Sequence, residues 1–153
     1  MDARLFLLVA EKLANTKSSD PEAPAAYRSS ISRSYYAAFS VAVAFLEQIG
    51  VEVVDKPQGH SWVKNSFIYT PEAAFKAIGM SLETLHKERK YADYELKNPK
   101  PEKRQAADAA FKQSSKVIAD LDAYRLSPGK RALVEAAIKR WVTATPGCGL
   151  RVV

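Results

Sequence analysis

The sequence predicts an all-α protein, an up-and-down antiparallel bundle of about five helices. Three observations carry that expectation. Apolar residues recur three and four apart through long stretches of the chain, the period of a helix with one buried side. Thr70-Pro71-Glu72 and Ser127-Pro128 pair a capping hydroxyl with a proline in the first helical turn. Only one run, Val51-Glu52-Val53-Val54, reads as a strand, and the pattern offers it no second strand to pair with. At 153 residues one core is enough, so residues 1–145 read as a single helical domain and 146–153 as a C-terminal tail.

In chain order, residues 3–14 read as an amphipathic helix with Leu5, Leu8, Val9 and Leu13 on its inner side, followed by a polar loop. Residues 25–49 carry the stripe Ile31, Tyr35, Ala38, Ala42, Phe45 and Ile49. Phe39, Val41, Val43 and Leu46 broaden it, which places this helix at the centre of the bundle. Gly50 supplies a C′ residue able to take the left-handed conformation. Residues 51–59 are expected to be loop and 61–68 a short helix.

A long helix over 71–96 buries Phe75, Ile78, Leu82, Leu85, Ala92 and Leu96. Asn98-Pro99-Lys100-Pro101 breaks it, and the next helix runs over 101–125 with Ala107, Phe111, Ser114, Ile118, Leu121 and Tyr124 inward. The last, from 128 through 141, is expected to bury Leu133, Val134, Ala137, Ile138 and Trp141.

Apolar residues make up 47% of the chain and charged residues 26%, which excludes a disordered or fibrous protein. The net charge of +6 favours anionic partners such as nucleic acid, a nucleotide or an acidic protein surface, although it serves solubility equally well. The lone Cys148 cannot form an internal disulfide, and the apolar run at 5–10 is too short to cross a bilayer. A cytoplasmic, non-membrane setting is the expectation. With two His residues and no His/Cys cluster or glycine-rich phosphate loop, the expected chemistry uses no metal and no cofactor.

One residue breaks the pattern. Arg89 occupies a position on the packing stripe of the long helix, where an always-charged guanidinium needs an internal partner or a polar cleft. Asp93, one turn on, is the obvious partner. His86, Arg89, Lys90 and Asp93 share a face, with Tyr91 and Tyr94 beside them. An imidazole, a fixed cation and a carboxylate in one patch suffice for proton transfer next to a phosphate, but spacing alone favours a structural ion pair. If Asp93 is buried, removing Arg89 costs about 3 kcal/mol or more. On the preceding long helix, Arg33, Ser40 and Glu47 form a polar strip with Tyr36 beside it, either a solvent edge or a binding face. Arg28 continues the apolar stripe and points between helices, and His60 precedes a Trp62 that anchors a loop.

The block Ser32-Arg33-Ser34-Tyr35-Tyr36-Ala37-Ala38-Phe39, then Gly59-His60, then Arg89-Lys90-Tyr91-Ala92-Asp93-Tyr94 resembles the HEPN superfamily, in its small stand-alone prokaryotic branch. The resemblance spans roughly residues 25–96. It implies a helical bundle that often forms a homodimer with a polar cleft at the junction. It also implies RNA binding or metal-independent RNA cleavage in a toxin–antitoxin or defence setting, often beside a nucleotidyltransferase antitoxin. Carried onto this chain, it places Arg89, Asp93, Tyr94 and His86 as the catalytic group and Arg28, Arg33, Tyr36 and Lys90 as the RNA-binding group. The chain departs from the family's ribonuclease pattern at one point. Five to seven places after Arg89 stand Tyr94, Glu95 and Leu96, where an Arg is usually followed by His. His86, three residues before Arg89, is the available substitute if a dimer brings His86 of one copy near Arg89 of the other. The alternative is a non-catalytic helical module that binds a nucleotide or a nucleotidyltransferase.

Overall fold

The computed structural model describes residues 2–54 and 57–153. It is helical throughout apart from one two-stranded sheet: α1 (Arg4–Ala14), α2 (Ala23–Gln48), β1 (Val51–Val53), α3 (Gly59–Ile68), α4 (Ala73–Tyr94), a 3-10 turn at Lys100–Glu102, α5 (Arg104–Arg125), α6 (Pro128–Ala144) and β2 (Leu150–Val152). The all-α class stands. α2 is the hub, packed against α1, α4 and α5, with α3 resting on α4. Its whole expected stripe, Ile31, Tyr35, Ala38, Ala42, Phe45 and Ile49, is buried, and Gly50 ends the helix at φ 75°.

The sheet corrects two expectations. Residues 51–53 are a strand rather than loop, and the segment read as a tail folds back to pair with them antiparallel: Val51 with Val152, Glu52 with Arg151, Val53 with Leu150. Residues 55–56 of the expected loop lie outside the described residues. Val51 and Leu150 turn inward and close the core at this end, while Arg151 Nη2 meets Glu52 Oε2 at 2.5 Å on the outside. The partner strand lies almost a hundred residues away, beyond the reach of any local pattern.

α1 presents a different side from the one expected, and α6 buries the expected side except at Leu133. In α1 it is Ala10 and Ala14 that are buried, with Phe6 and Leu7 packed partly against the core, whereas Leu5, Leu8 and Val9 face solvent. Small residues let α1 and α2 approach closely, and Ser30 Oγ on α2 donates to the Ala10 carbonyl at 2.8 Å. In α6, Val134, Ile138 and Val142 are buried and Leu133 is exposed. α4 starts at Ala73, because the Thr70 hydroxyl donates back to Phe67 O at 3.0 Å and caps the end of α3 instead. Leu96, past the end of α4, is exposed.

α3 and α4 touch through Gly79. A Cβ built there would stand 2.6 Å from Ile68 Cγ1 and 2.8 Å from the Lys64 carbonyl oxygen, so only a residue without a side chain lets the two helices lie this close.

The C-terminal end of α4 is held by Arg28, which is 8% exposed. Its Nη1 donates to the carbonyls of Tyr91 and Ala92 at 3.2 and 3.0 Å, and its Nη2 to Asn98 O at 2.5 Å and Glu102 Oε1 at 2.8 Å. The carbonyls of Glu95 and Leu96 complete the shell at 3.3 Å, and Nε reaches Glu102 at 3.1 Å. All five N–H groups are thereby engaged within the fold. Arg28 does point between helices, but the role given it at the RNA surface is corrected: a guanidinium enclosed by carbonyls has no donor left for a phosphate.

Candidate functional site

Three helices converge on Arg89. α4 carries His86, Arg89, Lys90, Asp93 and Tyr94 along one side, α2 contributes Ser32, Tyr35 and Tyr36, and the first turn of α3 supplies His60. The Arg89 side chain is only 11% exposed. Its Nε stands 2.9 Å from Asp93 Oδ2, the one-turn pair expected from the spacing. The Nε–H does not aim at that oxygen, so the contact is one of charge and the buried Nε lacks an aligned hydrogen bond. Nη2 donates to the Tyr36 phenol at 2.5 Å. The guanidinium carbon lies 5.2 Å from the Tyr36 ring centre and 5.1 Å from that of Tyr94, so two aromatic rings flank the cation. Among the described residues Nη1 makes no hydrogen bond. Asp93 is fixed in turn by Ser32, whose Oγ donates to Oδ2 at 3.2 Å.

Beside this pair lies a feature that periodicity does not reveal. His60 and His86, far apart in the chain, stack with ring centres 5.0 Å apart and planes 24° from parallel. Tyr35 stacks on His86 at 5.2 Å, Phe39 lies 4.5 Å from His60, and the Tyr35 phenol is hydrogen-bonded to His60 Nδ1. His60 is therefore no mere flank of Trp62. Tyr35, read as plain core, carries a hydroxyl into the site. The only sequence signal for either was their place in the HEPN-like blocks, which assigned them no role.

Electrostatics keeps both rings uncharged. Burial, then the charges of His60, Arg89, Lys90 and Lys64, push His86 down to about 4, and burial together with Arg89 lowers His60. Burial raises the Tyr35 phenol well above its usual value, so it keeps its proton. The Tyr35 phenol and His60 Nδ1 share one hydrogen bond, and which of the two donates follows from the ring nitrogen that carries the imidazole hydrogen. Burial also opposes the charge on Arg89, but Tyr36, Asp93 and Tyr94 outweigh it and raise its pKa.

This arrangement makes stability depend on acid. A histidine whose folded pKa lies below its unfolded value of 6.5 binds its proton more readily when the chain unfolds. Its contribution is complete above pH 6.5 and is lost progressively as pH falls toward 4. Thermal melts across that window should lose roughly 1–2 kcal/mol through His86, after allowing for solvent screening of a half-exposed ring. His86→Phe should flatten that part of the profile. An identical slope in wild type and variant would show that His86 is not held neutral by the fold.

The remaining candidates are exposed at the margin of the cluster. Arg33 is exposed and lies over Phe6 of α1, 5.6 Å from the ring centre. Lys90 is exposed on the His86 side of α4, and both residues line a surface depression with Lys64 and Lys87. That depression gives the His86 edge of the site an open approach of mixed charge, with Glu83, Glu88 and Glu95 set among its lysines. Two imidazoles beside a fixed cation suit an anion better than a metal, and no group of three metal-ligating side chains occurs among the described residues. No helix of the described chain is long and apolar enough to cross a membrane. No family model, curated protein or solved structure matches the chain.

Proposed function

We propose that this chain is a HEPN-like protein that binds RNA and cleaves it without a metal, in a toxin–antitoxin or defence setting. The observation that carries the reading is the neutral His60–His86 pair stacked beside the Arg89 guanidinium. It sets a base within the electrostatic reach of a fixed cation, although the usual Arg-to-His spacing is missing. His86, uncharged at neutral pH, accepts the proton of a ribose 2′-hydroxyl. The 2′ oxygen then attacks the adjacent phosphorus as the bond to the 5′ oxygen breaks. Water protonates the departing oxygen, leaving a 2′,3′-cyclic phosphate and a 5′-hydroxyl. Arg89 faces the non-bridging oxygens, where negative charge grows in the transition state. His60 and Tyr35 hold the His86 ring and keep it neutral. A second copy of the chain and a nucleotidyltransferase-type antitoxin are the protein partners this setting implies.

The test is incubation with tRNA or total RNA in excess chelator. Fragments ending in 2′,3′-cyclic phosphate are expected, with RNA retention that weakens steeply as salt rises. Absence of both cleavage and salt-sensitive binding discards the proposal. The exposed edge of Leu5, Leu8 and Val9 on α1 favours a second reading, a non-catalytic module that holds a protein partner. That reading expects no cleavage in the same assay.

A further inference from the structure

Tyr94 is an aromatic residue that the bundle does not need for its core. It ends α4 at 67% exposure, outside the buried stripe of Phe75, Ile78, Leu82, Leu85 and Ala92. Its ring is backed by Arg89, whose guanidinium carbon lies 5.1 Å from the ring centre. Lys90, one turn before it, and Lys97, just beyond the helix, are exposed and in no ion pair among the described residues. Of the acidic neighbours, Asp93 is paired with Arg89 and bonded by Ser32, while exposed Glu95 keeps its charge and accepts only from the Asn98 amide at 3.4 Å. Tyr94, Glu95 and Leu96 border a shallow depression that ends at Lys97 and Asn98.

An exposed phenol ring with a cation behind it and unpaired lysines on either side has the make-up of a platform for single-stranded nucleic acid. The ring meets the flat face of a base while the lysines follow its phosphates. Duplex RNA cannot use such a platform, because its bases are already stacked on one another. We propose that Tyr94 is a base-stacking subsite for single-stranded RNA, holding the unpaired nucleotide next to the phosphate that faces Arg89. This assigns Tyr94 to binding rather than to proton transfer, and it rests on the RNA reading given above.

The experiment compares two 2′-O-methyl oligonucleotides, which cannot be cleaved at the 2′ position, by fluorescence anisotropy at low salt. One carries all its bases and the other is abasic at a run of central positions, with the same phosphates in both. Wild-type protein is expected to bind the base-bearing strand about tenfold more tightly, and annealing that strand to its complement should remove most of the advantage. Tyr94→Ala should erase the preference and Tyr94→Phe should keep it. Lys97→Ala should weaken both strands alike and lower the salt slope by about one. A base preference that persists in Tyr94→Ala, or equal binding of the single strand and its duplex, overturns the stacking subsite and leaves the RNA reading in place. If neither strand is retained at low salt, the RNA reading falls and takes this inference with it.

Discussion

Arg28→Leu should lower the stability of the protein by about 3 kcal/mol, the largest loss expected from any single replacement around the site. The carbonyls of Ala92, Leu96 and Asn98 have no other donor in the backbone network of the described residues, and Arg28 alone supplies them. A leucine restores apolar volume but leaves the buried Ala92 oxygen unpaired and the part-buried Leu96 and Asn98 oxygens without their donor. Glu102, whose side chain is about a third exposed, can turn to water and adds less. For a chain of this length the loss corresponds to a drop of roughly 10 °C in Tm, measurable by circular dichroism. Arg28→Lys should recover under half of it, since one ammonium with three N–H groups cannot span five carbonyls and a carboxylate. A melting temperature unchanged in Arg28→Leu would mean that the α4 terminus holds itself.

Arg89→Met should show the opposite profile, with the proposed RNA cleavage reduced about 10²–10³-fold and stability changed by about 1 kcal/mol or less. The sequence alone led to an expected loss of about 3 kcal/mol, on the premise that Asp93 is buried. The Asp93 side chain is instead 28% exposed and keeps the Ser32 hydroxyl as a partner, so it does not become a stranded charge. Methionine also preserves the packed stem between Tyr36 and Tyr94. Cleavage rates and melts on the same preparation separate the two roles. Full cleavage by a folded Arg89→Met protein would remove Arg89 from the chemistry, and a collapse in stability would make it a structural ion pair.

What the sequence discloses here depends on whether the cause is local. The α2 and α4 stripes were readable because each mixes apolar and polar residues at a helical period, and the same period exposed Arg89 as the exception and Asp93 as its partner. α1 was not readable in that way. Leu5, Leu8 and Val9 compete there with Phe6, Leu7, Ala10 and Ala14, and in an apolar segment the small residues that permit close approach decide which side faces α2. Arg28 was visible as a charge out of place, but its acceptors are backbone carbonyls from a different helix, which no residue pattern announces. The β1–β2 pairing and the His60–His86 stack fail for a common reason: both join segments that only the finished packing brings together.

Gly79 ties that packing to the chemistry. It lies two turns along α4 from His86, and the α3 residues it meets, Lys64 and Ile68, are one and two turns from His60. Were a methyl group to occupy that gap, α3 would have to ride outward, and the imidazole at its head would be carried off its neighbour. The spacing of the two rings is thus inherited from a spot that bears no reactive atom, which makes position 79 a mechanical gauge for a distance set elsewhere.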